Sequence, residues 1–500
     1  MADLLGIWGY NQADGDEELV VSWRSSPRVY NSETEGWTSA GLNLTANTKA
    51  EYRTFLDQVF HVNGVNANYN YNGTNWSTTR NLNTSVIGKF IENYNVQLYL
   101  GNIVLAGTAY PSRMWFSDLP KADGSLTWGI ESGSDLAQTA ESAVVTSASA
   151  TFITNNIKVG DKFTITDGDN TGQYIVKFID SETQITLTET LANTDNTNSY
   201  WVGSNYVDIA TDDGDVILGF GKNSNELLIF KRNSLHKYNS LGKELRQVKG
   251  APGTTSRRSI VNLGEYTFYY YPEAGIYRYN GVSSELISDP VCDFINGITA
   301  ANQTEIVAWV EKQKKVCFYI GDVTLRDGTS ISNCVLVFNT SLNAWSTRSY
   351  PFVIKAATIW LENNIPNVYV GNEESQVHKI DTGTDFGGDP ISFQLETHPI
   401  FPENSDTLVD FRRLRVYVDN GRDIQIMYKL VYRPTRDDRQ WETDSSWFAL
   451  KGSVRGTKAE FNFPEGSRAC GVILKFIEIS TSESFLLEKF SIYYSNPANI

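Results

Sequence analysis

The sequence predicts a mainly β protein: a β-propeller of about six blades with an inserted small β-barrel or sandwich domain and a C-terminal β-sandwich. Three observations predict it. Aromatic residues, which suit strands, are abundant, with 26 Tyr, 24 Phe and 12 Trp in 500 residues. Apolar residues at helical spacing over three turns are almost absent. Six strand-like runs end in an aromatic or Ile followed by Asn, Asp or Ser: Tyr71-Asn72-Gly73, Phe116-Ser117-Asp118, Tyr238-Asn239-Ser240, Tyr279-Asn280-Gly281, Phe338-Asn339-Thr340 and Ile380-Asp381-Thr382-Gly383.

The spacings between these motifs are 45 from 71 to 116, 41 from 238 to 279, 59 from 279 to 338 and 42 from 338 to 380. The gap of 122 from 116 to 238 stands apart, and removing a module of 72 residues, 134–205, leaves 50. A strand-and-turn unit recurring at such a period is the mark of a propeller, in which each repeat supplies one sheet.

Residues 1–50 hold few strand patterns and many Gly, Asn, Ser and Thr. They read as an N-terminal arm or as ring-closing strands. A short helix is expected around 48–59, with Tyr52, Phe55, Leu56 and Val59 on one face. Residues 51–133 read as the first part of the propeller, where Asn72-Gly73 between aromatic runs is a strong hairpin signal. The module 134–205 alternates regularly over 163–166, 174–179 and 184–188, as a small acidic β-domain of about five strands would. Residues 206–399 resume the propeller. Residues 400–500 alternate over 414–418, 424–428, 471–476 and 490–494 without the turn motif, and read as a separate sandwich.

Composition removes several function classes. No apolar run approaches the 18 residues or so that a membrane helix needs. The first residues lack the basic segment and long apolar core of a secretory signal. Cys292, Cys317, Cys334 and Cys470 lack metal-ligand spacing and are expected as reduced, buried thiols. His61, His236, His378 and His398 lie far apart, so no metal site is expected. The formal charge is −16, with 3 basic and 9 acidic residues in 134–205 but 14 of each in 401–500. Such a chain lacks a general phosphate-binding field. Its acidity serves solubility, or a wall past which DNA slides without sticking.

Several strings carry a more specific likeness. Asp212-Asp213-Gly214-Asp215-Val216-Ile217 through Leu228-Ile229-Phe230-Lys231-Arg232-Asn233-Ser234 resembles the tail hub or nozzle proteins of short-tailed bacteriophages. Gly253-Thr254-Thr255-Ser256-Arg257-Arg258-Ser259-Ile260-Val261, the segment from Gly275 to Gly281, and Tyr110-Pro111-Ser112-Arg113-Met114-Trp115-Phe116-Ser117-Asp118 fit the same group. That group includes the packaged-DNA stabilisation proteins. The likeness covers roughly 50–133 and 206–400, and weakly the final sandwich. It implies a structural protein of the virion tail: a subunit of a ring, commonly a hexamer, below the portal or adaptor ring, retaining and conducting the genome. Implied partners are copies of itself, portal or adaptor proteins, tail fibre or other tail proteins, and passing double-stranded DNA without sequence specificity. It implies no catalytic residues, cofactor or metal.

Candidate sites follow from local charge. Lys231, Arg232, Lys237, Lys243, Arg246, Lys249, Arg257 and Arg258 face one acid, Glu244, within 231–258. On one face they would attract an acidic neighbouring subunit or DNA phosphates; on scattered strand ends they would only be solvated. The turns 167–172 and 211–215 are dense in carboxylates, as Ca²⁺ loops are, but lack a distal bidentate Glu; Asp and Asn also serve ordinary turns. Lys121–Trp128 resembles the Asp-box turn of sialidases with its order altered. Trp76 and Trp345 resemble kelch-type residues that pack between blades, with sugar stacking as the alternative. Two other readings therefore stay open: a glycan-binding or glycan-cleaving propeller of a virion or cell surface, and a kelch-like interaction module.

Overall fold

In the computed structural model the six turn motifs fall at one recurring place, the end of the third strand of an antiparallel sheet. The structure describes residues 4–496 apart from 33, 78–85, 123–124, 224–225, 381, 383–384, 387–388, 404–406, 420–423, 435–440, 445, 456–457 and 481–485. The motifs end strands Tyr69–Tyr71, Thr108–Phe116, Leu235–Asn239, Gly275–Tyr279, Ser330–Asn339 and Val377–Ile380. In four of them the Asn carboxamide closes the turn. Asn72 Oδ1 accepts the N–H groups of Thr74 and Asn75, Asn239 those of Leu241 and Gly242, Asn280 those of Val282 and Ser283, and Asn339 those of Ser341 and Leu342. This is the local side-chain-to-backbone bonding for which Asn is favoured in turns. Asp381, from the last motif, lies outside the described residues.

Among the described residues seven antiparallel sheets follow one another over 4–380, each of four strands except the last, of three. Their first strands are Leu4–Asn11, Glu51–Phe55, Val86–Tyr94, Ile217–Lys222, Val261–Leu263, Val307–Glu311 and Ile354–Glu362. Each touches the next, and the last returns to the first, which is a propeller arrangement. The seam that closes the ring is tight. A Cβ on Gly9 would lie 2.8 Å from the Ile359 carbonyl oxygen. Gly9 N–H donates to Thr358 Oγ1 at 3.3 Å, and Asn11 Nδ2 donates to the Leu361 carbonyl at 2.7 Å.

Seven sheets stand where the spacing led to about six. The additional one is the segment expected as an arm or ring-closing strands: Leu4–Asn11, Glu17–Trp23, Ser26–Asn31 and Gly36–Ser39 form a sheet of their own. It carries the same motif, Tyr30-Asn31, 41 residues before Tyr71. Asn31 Oδ1 accepts the N–H of Thr34 at 3.0 Å. Its first two strands are apolar and buried, as in the other sheets, but polar turns between them and the polar stretch that follows Ser39 give 1–50 as a whole the composition of an arm. The helix expected at 48–59 is instead a hairpin, Glu51–Phe55 and Gln58–Val62. Its two turn residues, Leu56 and Asp57, sit at φ 49° and 55°. Two successive left-handed residues suit a two-residue hairpin turn and break a helix.

The long gap in the repeat is a barrel. The chain leaves strand Thr108–Phe116, builds a closed six-stranded barrel, and returns as Tyr206–Asp208, which pairs with the strand it left, Arg113 opposite Asp208. The barrel strands run from Ile130–Gln138 to Asp195–Gly203, so the module starts at 130 rather than 134 and holds six strands rather than about five. Phe152, Phe163, Ile185, Leu187 and Tyr200 fill it, with Phe163 and Tyr200 stacked at 5.2 Å. Its junction is both apolar and hydrogen-bonded, with Trp201 and Ile130 of the barrel packed in one cluster with Trp115 and Leu98. Arg113 grips Asp208 through two hydrogen bonds of 2.7 and 2.8 Å. Asp118 accepts from Lys158 and Asn156 at 2.9 Å and from Asn205 at 3.1 Å.

A second unit comprises residues 381–500. Strand Asp389–Glu396 pairs with Gly471–Ser480, so residues 381–399, expected in the propeller, belong here. A second sheet is centred on Val409–Asp419. Val416 from that sheet packs with Ile426, Val472, Leu474 and Phe476 from the first, giving a two-layer core. Cys317, Cys334 and Cys470 are buried; Cys292, expected buried, is exposed at the start of the short helix Cys292–Asn296. Among the described residues no helix is long and apolar enough to cross a membrane.

Candidate functional site

The first strands of the sheets line a cavity of about 420 Å³ at the ring centre. Strand alternation puts charge there. In Glu51–Phe55, Glu51 and Arg53 share one side of the strand and line the cavity, and Tyr52 between them is buried. Glu92, Lys222, Arg257 and Arg258 complete its charged lining.

Glu92 is the hub. Arg53 NH2 donates to its Oε2 at 2.8 Å, Lys222 Nζ lies 3.4 Å from its Oε1, and Arg257 NH2 lies 4.0 Å from Oε2. Burial by itself would raise this carboxyl, but Arg53, Lys222 and Arg257 hold it at about 2. Lys222 is also anchored by Asn93 Oδ1 at 2.7 Å. Arg257 Nε is 3.3 Å from Glu51 Oε2 but donates no hydrogen bond, and its side chain is only 10% exposed. Arg258 donates to the carbonyls of Leu5 and Lys355. Burial lowers both guanidinium pKa values. Four cations thus face two carboxylates, an excess of positive charge in a partly desolvated space. Such an arrangement attracts and orients anions.

The segment 253–261 positions both arginines, and its residues have specific structural roles. A Cβ on Gly253 would lie 1.8 Å from the Lys231 carbonyl oxygen, so only glycine fits. Thr254 Oγ1 donates to the Tyr270 carbonyl at 2.7 Å, and Ser256 Oγ to the Ile306 carbonyl at 2.7 Å, tying the segment to two neighbouring strands. Gly219 leaves room for the Arg257 stem, since a Cβ there would be 2.3 Å from Arg257 Cδ.

The basic run read from the sequence does not form one face. Lys231 is fully buried and donates to the carbonyls of Ile209 and Ala210 and to Asp213 Oδ1, at 3.0, 2.9 and 2.5 Å. Lys237 pairs with Glu226 at 2.8 Å, and Arg246 pairs with Glu244. Arg232, Lys243 and Lys249 are exposed. Only Arg257 and Arg258 come together, inside the ring. Arg53, Lys222, Glu51 and Glu92 were missed by sequence reasoning. The signal was present as charged residues at alternate positions of first strands, but no local motif marks which strand is first.

The acidic turns are occupied by the protein itself. Asp213 takes Lys231, Asp215 accepts the N–H groups of Arg232 and Asn233, and Asp167 accepts that of Ser199. Among the described residues no three His, Cys, Asp or Glu side chains gather as metal ligands. In the Asp-box-like turn, Asp123 and Gly124 lie outside the described residues. Trp345 Nε1 donates to the Ile287 carbonyl of the preceding sheet at 2.9 Å, and Trp76 packs with Tyr10 and Val20 of the first sheet.

No protein-family model matches the chain, and no curated protein does. Among solved structures it is similar to a chain of a mitotic checkpoint complex, at 8% identity and TM-score 0.38, over 76% of this chain and 87% of that one. It is also similar to BamB from Moraxella catarrhalis, at 10% and 0.35, over 75% and 84%. Virginiamycin B lyase from Staphylococcus aureus follows at 10% and 0.34, over 76% and 94%. The propeller arrangement stands on the chain's own strand order.

Proposed function

We propose that this chain is a structural subunit of a short-tailed phage virion: a seven-bladed propeller carrying a barrel inserted in its third blade and followed by a β-sandwich, assembled as a sixfold tail hub or nozzle ring. The reading is non-enzymatic. Its partners are copies of itself, the portal or adaptor ring, tail fibre or other tail proteins, and DNA in transit.

The observation that carries it is the segment 253–261. This string as a whole resembles tail hub proteins, and within it Gly253, Thr254 and Ser256 satisfy a close backbone approach and buried hydroxyl bonds. These are particular requirements of this blade junction, not general strand chemistry, and that supports kinship over coincidence. The ring-centre cavity, at about 420 Å³, has the size of a small-ligand pocket. In this reading DNA therefore runs between subunits, not along the propeller's own axis.

Electron microscopy of the purified full-length chain tests it. Closed rings with a central hole of duplex width are expected. A strictly monomeric chain at high concentration, or sugar release from a glycan panel lost on changing one Asp or Glu, would overturn it.

A further inference from the structure

We propose that the ring-centre cavity binds a small dianionic oxyanion, a phosphate or a phosphate monoester. This is independent of the tail reading. Arg53, Lys222, Arg257 and Arg258 face only Glu51 and Glu92, so two positive charges remain uncompensated. Glu92 is fully engaged by its cations, with Arg53 at 2.8 Å and Lys222 at 3.4 Å, and Arg258 is tied to the Leu5 and Lys355 carbonyls. Arg257 is different. Nine-tenths buried, it lies 3.3 Å from Glu51 and 4.0 Å from Glu92, but its Nε donates no hydrogen bond.

The guanidinium of Arg257 adds to a positive charge that exceeds the acids around it, and a guanidinium fork matches the geometry of tetrahedral oxyanions. The volume of about 420 Å³ exceeds what inorganic phosphate fills and admits a small organic phosphate. Trp8, Trp309 and Ile260 supply apolar wall beside the charges. Lys222, 41% exposed, marks the side open to solvent. Gly219 holds the space that the Arg257 stem needs.

The test is thermal melting of the full chain in sodium phosphate against sodium chloride at equal ionic strength, with ribose 5-phosphate as a third arm. Phosphate should raise Tm saturably where chloride does not. Tighter binding of ribose 5-phosphate identifies an organic phosphate as the ligand; equal affinity identifies the inorganic ion. Arg257→Met should weaken phosphate at least about tenfold, the loss of one charge-assisted bond. Should Arg257→Met not fold, Gly219→Ala, which displaces the same side chain, gives the comparison. Equal melting in phosphate and chloride, or an undiminished phosphate response in folded Arg257→Met, overturns the proposal.

Discussion

The Tyr71 hydroxyl lies 3.1 Å from Glu18 Oε1, a residue of the preceding sheet, and 2.7 Å from the carbonyl of Gly73 in its own turn. Tyr279 repeats the arrangement one half-ring away in the chain, 3.1 Å from Glu226 Oε2 and 2.8 Å from the Gly281 carbonyl. Each Tyr of an aromatic–Asn-Gly motif therefore joins its turn to the sheet before it. The motif repeats because it serves both the turn and the blade junction.

Glu18 makes one of these links sensitive to pH. Burial, with Asp16 and Asp14 adding to it and Tyr71 opposing, pushes its carboxyl from 4.5 up to about 7. A carboxyl raised in the fold favours folding when protonated, so its contribution is complete below 4.5 and is lost as pH rises through 7. Glu18→Gln should leave Tm unchanged at pH 4 and raise stability by about 1–3 kcal/mol at pH 8. Denaturant melts at the two pH values decide it; equal effects at both would refute the assignment.

His61 acts in the opposite sense. It is buried among the rings of Tyr52, Tyr69 and Trp76, and burial pulls its pKa from 6.5 down to about 4. The neutral ring is favoured in the fold, so its stability is complete above 6.5 and is lost as pH falls through 4. A pH titration of stability should show this acid-side loss, roughly 3 kcal/mol at most, and His61→Phe should flatten it if the ring is accommodated. Persistence of the full slope in a folded variant argues against His61 as its source.

Glu92 holds three cations together at the ring centre. Glu92→Gln should cost about 3–5 kcal/mol, since removing one partner of a buried charge network leaves the others unpaired. Arg257→Met removes a cation already in excess and should cost far less without added anion. Chemical denaturation of both variants in chloride checks the order, and a reversed order would contradict the charge count.

The barrel should be separable. Ile130 and Gly203 pair directly where the chain enters and leaves it. Replacing 131–202 with a two-residue turn should leave a cooperatively folding propeller, because strand Tyr206–Asp208 still pairs with Thr108–Phe116. The loss of the Asp118 bonds to Asn156 and Lys158, and of Trp201 from its packing against Trp115 and Tyr206, should lower Tm. Near-ultraviolet circular dichroism and calorimetry of the excised chain are the measurements; an unfolded product would show that the ring depends on its insertion.

Local chemistry is legible in the sequence. Strand class, the Asn turns and the spliced module all follow from period-2 alternation and from side chains that bond their own backbone, and both act within a few residues. Tyr30-Asn31 belonged to the same series and was hidden by the polar composition of 1–50 as a whole, although its sheet has apolar, buried strands. The ring centre was not legible. Arg53, Glu92, Lys222 and Arg257 are far apart in sequence, and their meeting depends on which strand of each sheet faces the axis. The same holds for the basic run 231–258, whose local density suggested one surface. Strand direction buries Lys231, pairs Lys237 and Arg246 with acids, and turns Arg257 and Arg258 inward. Sequence determined what each segment forms, because those interactions are short-ranged. Tertiary structure alone decided which charges share a cavity, because closing a ring joins residues through space that no local pattern encodes.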